Sequence, residues 1–66
     1  GDFKIVLSAV KQNGLALEFA SQELRGDLKI VLSAVFKTPE AYKFASPMLQ
    51  QNKDVLLAYN LGYKTL

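Results

Sequence analysis

The sequence predicts an all-α fold: a short helical-repeat array of 25-residue units, each a long helix, a short helix and a single turn. Two full units and a closing helix account for the chain. Three observations predict this. GDFKIVLSAV at residues 1–10 is written again as GDLKIVLSAV at residues 26–35, with nine of ten positions identical. Inside each copy the polar residues fall on one stripe of a 3.6-residue period, as on a helix. Cap and turn residues recur at the same offset, Asn13-Gly14 against Thr38-Pro39 and Ser21 against Ser46-Pro47. The chain reads as a single domain over residues 1–66, divided into units 1–25, 26–50 and a partial 51–66.

Asp2 reads as the N-cap of a first helix from Phe3 to about Gln12. Lys4, Ser8, Lys11 and Gln12 form its polar stripe, and Phe3, Ile5, Val6, Leu7, Ala9 and Val10 fill the remaining circumference. So wide an apolar sector expects neighbours on several sides. Asn13-Gly14 ends this helix, Gly14 being able to take a positive φ at little cost. A short helix from about Leu15 to Ala20 offers Leu17, Phe19 and Ala20 to a core. Ser21 caps a single turn, Gln22 to Arg25, with Leu24 pointing inward.

The second unit repeats these choices with other residues. Asp27 caps a helix from Leu28 to about Lys37, striped by Lys29, Ser33 and Lys37. Thr38-Pro39 and Ser46-Pro47 each read as a cap followed by proline at the first helical position. Pro47 inside a longer helix would cost ~3 kcal/mol, so the chain breaks near Ser46. Ala41, Phe44, Ala45 and Leu49 match Ala16, Phe19, Ala20 and Leu24. Asn52 stands where Asp2 and Asp27 stood and opens a final helix from about Lys53 to Leu61, ending at Gly62, with residues 63–66 a short tail.

Composition bounds what such a fold can do. The 66 residues are half hydrophobic and contain neither cysteine nor histidine. That removes disulfides, thiolate metal sites, the commonest metal ligand and the commonest general base at neutral pH. Eight basic and six acidic residues give a net charge of +2, dispersed along the chain, which disfavours a nucleic-acid partner. The apolar runs, such as Ile5-Val6-Leu7 and Val55-Leu56-Leu57-Ala58, are far short of the roughly 20 residues a membrane span needs, and no signal-peptide layout opens the sequence. Lack of cysteine is compatible with the cytoplasm or with a secreted effector and decides neither.

Residues 9–35, AVKQNGLALEFASQELRGDLKIVLSAV, resemble a family of domains of unknown function numbered 4116, found as tandem copies in bacterial, giant-virus and protist proteins. The matching features are the Asp opening each long helix (Asp2, Asp27), the IVLSAV body, the KQNGLALEFAS linker with its short helix, and the pair Glu23-Leu24. From Phe36 onward the chain departs from this pattern: KQNG becomes Phe36-Lys37-Thr38-Pro39, the EL pair becomes Met48-Leu49, and Asp becomes Asn52. The resemblance implies an α-helical repeat of unknown biochemical role, sometimes within effector-type proteins of host-associated bacteria. It brings no catalytic residues with it.

Read for chemistry, the residues yield no catalytic, cofactor or metal set. Asp2 and Asp27 serve best as caps, and Glu18 and Glu23 as solvated positions near helix ends. Ser8 and Ser33 lack a base and sit on polar stripes. Gly14, Gly26 and Gly62 match no phosphate-cradling loop. A lysine column, Lys4 and Lys11 beside Lys29 and Lys37, is a candidate partner-binding feature, diluted by Asp54, Glu18 and Glu40. Tyr42, Tyr59 and Tyr63 are the other candidates, since tyrosine offers large contact area with a polar tip. Phe36 replaces Lys11 of the first unit, and packing on the third helix is its favoured role. Phe3, Val6, Val10 and Leu61 are candidates for self-association through the wide apolar sectors.

The function these features favour is a non-enzymatic protein–protein interaction module, a fragment of a longer repeat-containing protein. Its expected partners are another protein or neighbouring repeats, with a homo-oligomer as one form. The alternative is binding of nucleic acid or a phosphate surface through the lysine column.

Overall fold

The computed structural model describes the backbone of residues 2–64 and the side chains of residues 3–62. Among the described residues every regular element is helical: α1 (Asp2–Gln12), α2 (Gln22–Arg25), α3 (Leu28–Lys37), α4 (Pro47–Gln50) and α5 (Lys53–Lys64). Two 3-10 helices, Gly14–Phe19 and Pro39–Phe44, link them. The fold is therefore all-α. The 3-10 helices stand 25 residues apart, as do α2 and α4, and the starts of α3 and α5.

Helix α3 is the centre. It packs on α1 to one side, α5 to the other, and both 3-10 helices and α2. Ile30, Val31, Ala34 and Val35 lie at i, i+1, i+4 and i+5, one continuous stripe, and all four are fully buried. Asp27 has extended backbone, and its Oδ1 accepts the Ile30 N–H at 3.1 Å, which satisfies an otherwise orphaned donor of the first turn. Thr38 ends the helix because Pro39 forces the residue before it out of the α region; its φ and ψ are −142° and 99°. At the start of α5 the same capping is done by Asn52, whose Oδ1 accepts from Asp54 and Val55 at 2.8 and 3.2 Å. The expected Asp2 cap concerns a side chain outside the described residues.

The short helices are 3-10 rather than α, and this corrects where their side chains point. With three residues per turn, positions i and i+3 eclipse. Gly14, Leu17 and Ala20 therefore share one edge, and all three are buried. Phe19 falls instead on the edge with Ala16 and is 87% exposed, not a core residue. The Ala16 N–H bonds the Asn13 carbonyl at 2.9 Å and the Ala20 N–H bonds Leu17 at 3.1 Å, the i to i+3 pattern that sets this geometry.

The glycines also differ from expectation. No described glycine has positive φ. Gly14 starts a 3-10 helix and is small because a Cβ there would overlap the Ala34 carbonyl oxygen and lie 2.7 Å from Thr38 Cβ. Thr38 and Ser46 do not cap with their side chains. The Thr38 hydroxyl accepts the Gly14 N–H instead, while the Ser46 backbone N–H donates to the Arg25 carbonyl at 3.0 Å. Gly62 does not end α5, which continues to Lys64. A Cβ at Gly62 would overlap Pro39 Cγ, so this glycine lets α5 lie against the second 3-10 helix.

The assembly is a slab whose thinnest Cα extent is 15 Å, little more than one helix diameter of about 10–12 Å. A slab this thin has a core only where elements face each other. Val10, Leu17, Ile30, Val31, Val35 and Val55 supply its largest fully buried side chains.

Candidate functional site

The two sequence copies place the same side chains in different surroundings. Ile5 is 69% exposed, whereas its counterpart Ile30 is 0% exposed, and Val55 at the next such position is buried too. Phe19 is open to solvent while Phe44 is half-buried. Ala16 is half-buried and Ala41 fully buried. Around Ile5 and Phe19 lies an open cleft of about 180 Å³, with Val6, Ala20, Ser21 and Leu24 as its other walls.

At the second copy the preceding unit lies against α3 and the second 3-10 helix, chiefly through α1 and the first 3-10 helix. Gln22 and Arg25 wall a smaller cavity of about 130 Å³ together with Phe44, Ala45, Ser46 and Pro47. The Arg25 carbonyl receives the Ser46 N–H, and the Arg25 Nε is buried without a hydrogen-bond partner. Its counterpart Gln50 has none of this difficulty: its Nε2 donates to the carbonyls of Lys43 and Ala45 at 3.1 and 3.0 Å. Lys43 Nζ lies 5.4 Å from the centroid of the Phe44 ring, over its face.

The candidates from sequence separate cleanly. Lys4, Lys11, Lys29 and Lys37 are all exposed, as are the diluting Glu18, Glu40 and Asp54. Tyr42 and Tyr59 face each other, ring centroids 4.8 Å apart and tilted by 52°, both half-buried between the second 3-10 helix and α5. Their rings are engaged with each other, which leaves less of them to present to a partner. The Tyr63 side chain lies outside the described residues. Among the self-association candidates, Val10 belongs to the interior at 0% exposure, because the first 3-10 helix folds back over α1. Phe3 and Val6 are half-buried and Leu61 is exposed. Phe36 is 60% exposed and so does not pack into the core. Leu56, Leu57 and Met48 are exposed as well.

Sequence reasoning missed Ile5, Met48 and Arg25. For Ile5 a signal existed. Its counterpart Ile30 lies one copy later, behind a preceding unit that Ile5 does not have in this sequence. Arg25 carried no comparable signal, because Arg and Gln at equivalent positions are both ordinary surface residues. Among the described residues no helix is long and apolar enough to cross a membrane.

The model of a family described as a domain of unknown function, DUF4116, matches residues 2–50. The chain belongs to this family. The match takes in α1 to α4 and both 3-10 helices, and so includes the open cleft and the α2 junction. No curated protein and no solved structure matches this DUF4116 chain.

Proposed function

We propose that this DUF4116 chain is a non-enzymatic helical-repeat module that works by presenting an apolar surface to another protein, within a longer repeat-containing polypeptide. The observation that carries the reading is the exposure of large apolar side chains along both ends of the slab. Ile5 and Phe19 stand open at the α1 end, and Leu57 and Leu61 at the α5 end. Scattered apolar residues are ordinary on a protein surface, but residues walling a common cleft mark a contact site. Repeat units bury such faces by stacking on neighbours, and an end unit with an apolar outer face remains adhesive.

Light scattering on a size-exclusion column, over a range of protein concentrations, tests this. Molar mass that climbs with concentration and returns to that of a monomer in Phe19→Ser supports the module. A monomer at every concentration, joined by oligonucleotide binding that weakens steeply with salt, would transfer the function to the exposed lysines.

A further inference from the structure

We infer that the cleft at Ile5 and Phe19 is a preformed seat for one helical turn of the Gln22–Arg25 kind, supplied by a further copy of the unit joined on the N-terminal side. The inference rests on the repeat reading above and adds the place, the occupant and its hydrogen bond. Ile5 and Ile30 are the same residue on helices of nearly identical sequence, yet one is open and the other buried. Phe19 and Phe44 are the same residue at the end of matching 3-10 helices, with the same contrast. What differs between the members of each pair is whether a unit precedes them. Ile30 and Phe44 have α1, the first 3-10 helix and α2 before them.

The seat needs no rearrangement. Ala20 and Ala45 have φ, ψ of −75°, 157° and −70°, 158°. Ser21 and Ser46 have −63°, 160° and −58°, 153°. The backbone that receives α2 in the second copy is thus already formed in the first. One hydrogen bond marks the position of the occupant. The Ser46 N–H reaches the carbonyl of Arg25, the last residue of the α2 turn, whereas the equivalent Ser21 N–H has no acceptor among the described residues. A helix terminus leaves its last carbonyls without intrahelical partners. An incoming turn therefore brings an unused acceptor to an unused donor beside Phe19, as Arg25 does beside Phe44, while the longer helices of its unit lie on α1 as α1 and the first 3-10 helix lie on α3. The join is also prepared in sequence: Arg25-Gly26-Asp27 links the two copies, and a copy ending at Arg25 placed before Gly1-Asp2 writes the same junction again.

The test compares the 66-residue chain with one in which a second copy of residues 1–25 precedes residue 1. The natural sequence has no cysteine, so Phe19→Cys in the original copy provides a single thiol, and Phe44→Cys in the 66-residue chain provides the covered reference. Both are labelled with a soluble maleimide at a concentration where each chain is monomeric. The expected result is fast labelling of Phe19→Cys in the 66-residue chain and, in the extended chain, a rate slowed to that of Phe44→Cys. Amide exchange on the chains without cysteine gives an independent reading: the Ser21 N–H slows to match Ser46 when the copy is added. Unchanged labelling at Phe19→Cys and unchanged exchange at Ser21 would overturn the inference. Labelling that slows in the 66-residue chain as its own concentration rises, with no effect of the added copy, would overturn it in favour of a second molecule as occupant. A chain that stays monomeric at all concentrations removes the interaction reading and leaves the labelling comparison intact.

Discussion

Gly14 and Thr38 touch across the centre of the fold: the Gly14 N–H donates to Thr38 Oγ1 at 3.2 Å, and no room is left there for a Cβ. The contact joins the start of the first 3-10 helix to the end of α3, and it decides how glycine substitutions should sort. Gly14→Ala drives a methyl group into the Ala34 carbonyl and the Thr38 side chain, an overpacking cost of about 1–3 kcal/mol. At Gly26 the nearest atom to an added Cβ is 3.5 Å away and φ is −98°, so alanine fits. Gly26→Ala should then gain about 0.4–1 kcal/mol through the unfolded chain's lost freedom. Urea denaturation midpoints moving in opposite directions for the two variants are the expected result.

Gly62 reverses the usual rule for helix interiors. Alanine in place of an interior glycine ordinarily stabilises a helix by about 1 kcal/mol. Here the new methyl would overlap Pro39 Cγ. Gly62→Ala should therefore destabilise, and Pro39→Ala in the same chain should recover part of the loss. A double-mutant cycle in thermal or urea unfolding measures the coupling, expected to be about 0.5–3 kcal/mol.

The buried Arg25 Nε without a partner is a standing cost, since a desolvated donor left unpaired forfeits roughly 1–3 kcal/mol. Gln50 shows what the same backbone does with an amide: it bonds the Lys43 and Ala45 carbonyls. Arg25→Gln places an amide within the same reach of Glu18 and Ala20. The expected outcome is a gain of about 1 kcal/mol in unfolding free energy, checked alongside Gln50→Ala, which should lose a similar amount.

Residues that look alike as caps in the sequence are unequal in the structure. Asp27 makes its cap bond to Ile30, while Ser46 makes none with its side chain and uses only its backbone N–H. Asp27→Ala should cost about 0.5–2 kcal/mol because it frees the first turn of the central helix. Ser46→Ala should stay within about 0.5 kcal/mol of the parent. Equal losses in the two variants, measured by chemical denaturation, would contradict this ranking.

The helix order was legible because caps, prolines and the polar stripe are local signals, readable from Asp27, Pro47 and Lys29 without knowledge of any partner. The turn type was not. Leu15 to Ala20 suits an α-helix by composition, and only tight i to i+3 bonding sends Phe19 outward and Leu17 inward. Gly14 and Gly62 read as conformational signals, yet their reason is steric and lies in Ala34, Thr38 and Pro39, remote in sequence. Phe36 went astray for a related cause: an aromatic residue in a polar stripe says nothing of whether α5 passes over it. Of the candidate site, the apolar surplus on α1 was visible in the sequence, but its location required knowing that the preceding unit covers the equivalent surface one copy later.

Ile5 and Ile30 offer the most direct check on that difference, because the substitution is the same and the sequence around it nearly so. Ile30 has no solvent contact and sits in the stripe that α3 buries. Truncation to alanine there removes buried methyl groups and leaves a cavity, a loss of about 2–5 kcal/mol. At about 0.05–0.15 kcal/mol per residue the domain has only a few kcal/mol in total, so Ile30→Ala should lose a large share of it and unfold at a much lower urea concentration. Ile5, mostly in water, gives up little on truncation, and Ile5→Ala should stay within about 0.5 kcal/mol of the parent. Circular dichroism during urea titration reads both. If a further unit is joined ahead of residue 1 and seats on this face, the Ile5 cost should rise toward that of Ile30, since the same side chain then loses the same covered surface.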